Sequence, residues 1–376
     1  MIPPIGYAGR ADAVRALLAE RGVAAMAVTN LTNVRWLTGF TGSNGVVAVL
    51  PDRLVLVTDG RYRDRAEAEL AAAAVAGEVV VGFTQAEQQE QFVACFTGLA
   101  EVAAEAASLT HAQWQAYAAE LPISPGDGVV ERLRRVKDAG EIARIAAGAA
   151  AADAALAEVA PLLGSGVTEH DVRTELDYRM RRHGADAASY DTIVASGPEH
   201  AARPHHQVRG GSDGRRIEDG DTVVIDVGGL VDGYHSDMTR SFVIGEPSAR
   251  QRELYEFLLG VQLAGLAAVR AGVAARDIDA VCREAVTAAG LGDWYLHSTG
   301  HGVGLLIHED PFESPTSTAE LVAGDVVTVE PGLYRVGFGG FRIEDLVVVT
   351  DSGCHILTRA PKDRPDTSCP PSPPTT

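Results

Sequence analysis

Four carboxylates in two similar settings, with three histidines between them, are the residues of this 376-residue chain whose types and spacing could do chemistry. Asp226 lies in "TVVIDVGG", where a buried strand pattern asks for another aliphatic residue. Asp237 follows at the start of a second strand-like run, Thr239 to Ile244, beyond a Gly-Gly and Asp-Gly-Tyr stretch that reads as a turn. An ionised carboxylate in a buried strand is strongly unfavourable unless it is paired, hydrogen-bonded or bound to a metal. Two antiparallel strands would bring Asp226 and Asp237 together. The simpler reading has one of them capping a turn and the other at a strand end in water.

A weak internal repeat favours the first reading. "GDTVVIDVG", Gly220 to Gly228, matches "GDVVTVEPG", Gly324 to Gly332, and sets Asp226 opposite Glu330. Each unit is followed by a second acid on the next strand, Asp237 in the first and Glu344 in the second. A duplicated fold would collect four carboxylates in one place, where they cannot all ionise without cations. Two divalent ions balance them in charge. Between the units, "LHSTGHGVGLLIHEDP" supplies His297, His301 and His308 among glycines that let backbone pass close to something.

The elements that must position these residues divide the chain. Residues 1–132 alternate helix-like stretches (Ala11 to Arg21, Tyr62 to Ala76, Gln85 to Leu99) with short apolar runs (Ala24 to Val28, Gly45 to Val49, Leu54 to Val57), an α/β pattern. A Pro- and Gly-bearing stretch precedes a long helix with Asp138 and Glu141 spaced as a capping box, which places a boundary near residue 132. In 133–362, helices (Thr168 to His183 with its Val172, Leu176, Met180 stripe, one opened by Ser248 and Gln251, one opened by Asp277 and running through Val281 and Val286) alternate with strands clustered around turns. An antiparallel-rich α+β domain is expected there. Residues 363–376, with five prolines and almost nothing apolar, read as a disordered tail.

Lys and Arg (32) against Asp and Glu (51) give −19, which argues against nucleic acid and anionic membrane as partners. Charges interrupt the apolar stretches, so no membrane span is expected. The four cysteines are scattered without a C-x-x-C pair, which fits a reducing cytoplasm rather than a disulfide framework or a thiolate zinc site. The Gly-rich "GFTGSNG" lacks the Lys of a phosphate loop. His111, His170, His183 and His355 read as surface or cap residues.

"IDVGG…SDMTR", "GHGVGLLIHEDP", "VEPGLY" and "FRIED", in this order, resemble the pita-bread metallopeptidases, a family that includes Xaa-Pro dipeptidase (prolidase), aminopeptidase P and methionine aminopeptidase. "NVRWLTGFTGSNG" and "TDGRY" resemble the creatinase-type N-terminal domain of the Xaa-Pro group. The resemblance implies a pita-bread catalytic domain with internal pseudo-duplication behind an α/β creatinase-type domain. It implies two metal ions held by Asp226, Asp237, His301, Glu330 and Glu344, with Asp237 and Glu344 bridging and Glu330 also handling the proton of the attacking water. An oxygen-rich set with one imidazole suits Mn²⁺, with Co²⁺, Zn²⁺ or Fe²⁺ as alternatives. Paired metals acidify a water and stabilise charge on a scissile carbonyl oxygen.

The same resemblance makes His205 (with neighbouring His206 as the alternative), His297 and His308 substrate-binding histidines. Residues 210–216 read as a loop insertion between His205 and Asp226. Arg342, one strand step from Glu344 on the same face, would anchor an acid or a substrate carboxylate, unless it only pairs a structural acid. The expected activity is hydrolysis of the Xaa-Pro bond of dipeptides or peptide N-termini by a cytoplasmic homodimer. A methionine-type aminopeptidase and a non-catalytic binding protein of the same shape are the rival readings.

Overall fold

The computed structural model describes residues 2–126, 128–164, 166–206 and 214–365. Residues 366–376 of the proline-rich tail and 210–213 of the expected insertion lie outside the described residues. The chain divides into two compact units, Pro4–Arg134 and Arg135–Thr376 with Met1–Pro3.

In the first unit six strands form one mixed sheet, in the order Glu78–Gly82, Leu54–Asp59, Gly45–Val49, Met26–Val28, Val102–Ala104, Ile123–Pro125. The Val-rich central strands pair antiparallel through a tight turn, with Val49 opposite Leu54. The outer pairs are parallel, which requires crossover helices, here Arg63–Ala72 and His111–Ala118, the second opened by a Thr110/Gln113 capping box. The periodicity missed three helices, His111–Ala118, Val129–Arg134 and Leu31–Thr38, the last of which covers most of the "NVRWLTG" stretch. Asn30 caps its start and Gly39 ends it at φ 74°.

The second unit opens with the helix Ala139–Val159, whose Asp138/Glu141 capping box forms as expected. With the turn after it, this helix is long and apolar enough to cross a membrane, contrary to the expectation that charges interrupt every such stretch. It is nonetheless a core helix. Ile145, Ala149, Ala152, Leu156 and Val159 are buried, and Arg144, Asp153 and Glu158 each hold partners within the unit. Glu169–Arg182 follows with its Val172, Leu176, Met180 stripe buried. The helix expected from Asp277 begins at Ala275, and its buried stripe is Ile278, Cys282, Val286, which turns Val281 outward.

Gly148, in the first of these helices, lies against the chain at Gly229: a Cβ built on it would stand 2.4 Å from the Gly229 carbonyl oxygen. Alanine is the better helix former, yet here it must displace main chain. Gly148→Ala should therefore cost about 1–3 kcal/mol, the usual penalty of overpacking. A denaturant melt reads this directly, and an unchanged or raised midpoint would mean that the helix is not seated there.

The strands carry the duplication. Thr222–Asp226 pairs antiparallel with Thr239–Val243, and Val326–Val329 pairs antiparallel with Asp345–Val349. Under the repeat, Arg240 (opposite Ile225) and Asp345 (opposite Val329) hold matching places, and their side chains meet at 2.8 Å in the interior. The stretch expected to be a simple turn between Asp226 and Asp237 is itself a hairpin, Gly229–Val231 with Tyr234–His235. Its loop is Asp232–Gly233, both at positive φ, the geometry that two-residue hairpins favour. The single strand expected to carry both Arg342 and Glu344 is broken. Gly339–Arg342 forms a separate hairpin with Gly332–Arg335, and the Asp345 strand starts after Glu344.

Candidate metal centre

Register puts the first carboxylate pair on one face. Asp226 is cross-strand partner to Thr239, and Asp237 lies two residues before Thr239, on the same side of the chain. In the second unit Glu330 leaves the end of Val326–Val329 and Glu344 precedes Asp345. His301 enters on the short strand Gly300–Gly302, which lies beside Val326–Val329. These five residues line one cavity of about 490 Å³ together with His205, His297 and His308. His206 does not line it.

His301 Nδ1 lies 3.1 Å from the Gly302 carbonyl oxygen, so it carries the proton and donates there. Nε2 is left as an unprotonated donor atom, 3.5 Å from Asp237 and 3.4 Å from Glu330. Burial pushes the His301 pKa down, which keeps the ring neutral, the form that binds metal. Burial does the same to His205, His297 and His308.

The carboxyls go the other way. Burial first, then the neighbouring acids, pushes Asp237 and Glu344 well up from the ordinary carboxylate range. Burial also raises Glu330, against the opposing pull of His297 and Arg342. Asp226 has its own counter-ion, Arg342 Nη2 at 2.5 Å. Arg342 also donates to Thr239 Oγ1 at 2.8 Å and Tyr334 Oη at 3.1 Å, and Thr239 Oγ1 donates to Glu344 at 2.7 Å. The arginine therefore braces the acids from beneath, and does not line the cavity as a substrate anchor would.

Glu344 Oε1 is buried with no hydrogen-bond partner, the kind of orphaned atom that needs a cation or a proton. Ligand atoms of Asp237, His301 and Glu344 lie within 4.8 Å of one another. An oxygen-rich, one-imidazole set with an orphaned carboxylate oxygen fits divalent metal.

His308 sits edge-on to His301, with ring centroids 4.3 Å apart. His205 Nε2 is 3.5 Å from Arg342 Nη1. His297 is more enclosed than the sequence suggests. Its Nδ1 donates to the Ser298 carbonyl oxygen at 2.7 Å, and its Nε2 accepts from Tyr334 Oη at 3.0 Å, so both ring nitrogens have partners within the chain. Of the other histidines, His183 caps a helix end and meets Glu158 at 2.9 Å.

Sequence reasoning missed Tyr190, whose hydroxyl contacts both Asp226 and Asp237. It also missed Thr239 and Tyr334. Thr239 and Tyr334 lie in ordinary strands and Tyr190 in the bend between Ala187–Ala188 and Ile193–Ser196, and only the tertiary fold aims them at the site.

The fold and the site define the pita-bread metallopeptidase class. The family model for metallopeptidase family M24 matches residues 143–351, and that for the creatinase/prolidase N-terminal domain matches residues 10–136. An uncharacterized peptidase of Bacillus subtilis is 36% identical over 358 residues, 94% of this chain and 98% of its own. An Xaa-Pro dipeptidase from Bacillus anthracis superposes with a TM-score of 0.89 at 35% identity, covering 96% of this chain and 99% of that one. An X-Pro aminopeptidase from Thermotoga maritima superposes with a TM-score of 0.83 at 31% identity, covering 95% and 99%. The chain belongs to metallopeptidase family M24.

Proposed function

We propose that this protein hydrolyses the bond before proline in dipeptides or at peptide N-termini, using two divalent ions held by Asp226, Asp237, His301, Glu330 and Glu344. The observation that carries the reading is the convergence of these five residues on one cavity, with Glu344 Oε1 buried and unpartnered. The similarity to an Xaa-Pro dipeptidase and an X-Pro aminopeptidase supports the substrate class. When bound, such ions supply an acidified water and a Lewis acid for the scissile carbonyl.

The chain's own residues do the rest. Glu330, whose burial raises its affinity for a proton, takes one from the attacking water and returns it to the departing prolyl nitrogen. His308 and His205, neutral and on the cavity wall, offer ring nitrogens to the substrate backbone. His297 acts as a wall that Tyr334 holds in place. Arg342 pairs with Asp226 and orients its carboxylate.

Mn²⁺ is the proposed metal, with Co²⁺, Zn²⁺ and Fe²⁺ as alternatives. A cytoplasmic location is proposed on the free Cys95, Cys282 and Cys354, and a homodimer on the family resemblance.

The test is hydrolysis of an Xaa-Pro dipeptide, an Xaa-Pro-Pro tripeptide and a Met-Ala-initiated peptide by protein stripped with chelator and then given Mn²⁺. Cleavage of the proline substrates is expected only after metal is returned. Preference for the methionine peptide would replace this reading with a methionine-type aminopeptidase. No cleavage of any would leave a binding protein.

A further inference from the structure

Lys137 carried no chemical signal in the sequence, yet its side chain is 1% exposed and ends on Glu309, itself 7% exposed, at 2.6 Å. Lys137 Nζ also donates to the Arg135 carbonyl oxygen at 2.8 Å. A buried ion pair is a poor source of net stability compared with apolar side chains of the same volume, and its best-attested use is to fix one arrangement against others.

What this pair fixes is the glycine loop between His301 and His308. Gly302 and Glu309 are ladder partners at the base of the loop, and the register is irregular between His301 and Gly302. Gly304 lies flat on the pair: a Cβ built there would stand 2.4 Å from Glu309 Oε1 and 2.9 Å from Lys137 Cε. The Val303 N–H donates to the Val326 carbonyl oxygen at 2.9 Å, and the His235 N–H donates to that of Gly304 at 2.8 Å. Main-chain bonds thus hold the first half of the loop, and the return half, tied by the Gly304 N–H to the Leu306 carbonyl oxygen at 3.0 Å, brings in Glu309 next to the outward-facing His308.

We infer that Lys137, acting through Glu309, is a positioning residue for His308 in the hydrolytic reaction. This rests on the reading that His308 contacts substrate. Lys137 touches no substrate itself. Its ammonium fixes the Glu309 carboxylate, the adjacent peptide sets where the His308 ring stands, and that ring packs on His301. Lys137→Met frees this return half and lets His308 drift from its working place.

The experiment measures kcat/KM on an Xaa-Pro substrate at saturating Mn²⁺ for Lys137→Met in the wild-type and His308→Ala backgrounds, with Glu309→Gln alongside. Lys137→Met is expected to lose about 100-fold, the scale of loss that a misplacement of about 1 Å brings. In the His308→Ala background it is expected to lose no more than about twofold, because the group it positions is gone. Glu309→Gln keeps an acceptor for Lys137 and should stay within about tenfold of wild type. Equal losses in both backgrounds would reduce the pair to a structural one and overturn the inference, as would a Lys137→Met enzyme as active as wild type. Should Lys137→Met not fold, the paired replacement Lys137→Met/Glu309→Leu removes both charges and enters the same two-background comparison. Wild-type protein inactive on every Xaa-Pro substrate would instead overturn the proposed function.

Discussion

His301→Ala is expected to abolish Xaa-Pro hydrolysis, while His183→Ala is expected to retain the wild-type rate. The two histidines differ in surroundings, not in chemistry. His301 is buried, its Nδ1 is committed to the Gly302 carbonyl oxygen, and its Nε2 is turned toward Asp237 and Glu330. Among the other imidazoles lining the cavity, His297 has both nitrogens engaged, His205 turns its Nε2 toward Arg342, and His308 packs edge-on against the His301 ring. Weakening the support of a ligand alone costs about 10–100-fold, so deleting the ligand should cost more than about 100-fold in kcat/KM. His183 sits at a helix end against Glu158, and alanine there removes an exposed pair of small value. The check is kcat/KM together with metal content per chain. A His301→Ala enzyme that keeps both full activity and full metal would place the site elsewhere.

The second expected result concerns stability. Stripped of metal, Asp237→Asn melts higher than wild type near pH 7.5, and Mn²⁺ raises the wild-type midpoint. In the folded chain burial, reinforced by the neighbouring acids, lifts Asp237, Glu330 and Glu344 above the values these carboxyls have when unfolded. The folded state then binds more protons than the unfolded state. Stability from these groups is present at low pH and is lost as pH rises through the raised folded values. At neutral pH the three are a burden on the metal-free fold, and Asn removes one of them.

Asp237 is the position to change, since Asp226 is offset by Arg342. A divalent ion binds only the folded cluster. At about a thousand times its Kd it should add about 4 kcal/mol, and more for two ions. Melting curves of both proteins in chelator and in Mn²⁺ test this. A metal-free wild type that melts above the mutant, or one that Mn²⁺ leaves unmoved, would mean that the carboxyls are not clustered as described.

Much of this molecule was legible because its signals are local. Capping boxes at Asp138 and Ser248 are short patterns that form from neighbouring side and main chains, and both occur where the spacing puts them. The duplication of Gly220–Gly228 in Gly324–Gly332 is also a local pattern, and it announced that Asp226 and Glu330 hold equivalent places before any contact was known.

Other features depended on pairings between distant segments, which spacing does not report. The turn after Asp226 became a hairpin of another sheet because Gly229–Val231 finds Ala187–Ala188. Arg342 left the Glu344 strand and came to lie under Asp226. Tyr190 reached Asp226 and Asp237 across 36 and 47 residues, and Lys137 reached Glu309 across 172. The sequence by itself determined which side chains could bind metal and on which kinds of element they lie, because residue type and local periodicity set both. The tertiary structure alone decided which buried charges face one another, because antiparallel register and helix seating choose the neighbours of a side chain, and a buried ion's energy depends on its neighbours far more than on its place in the chain.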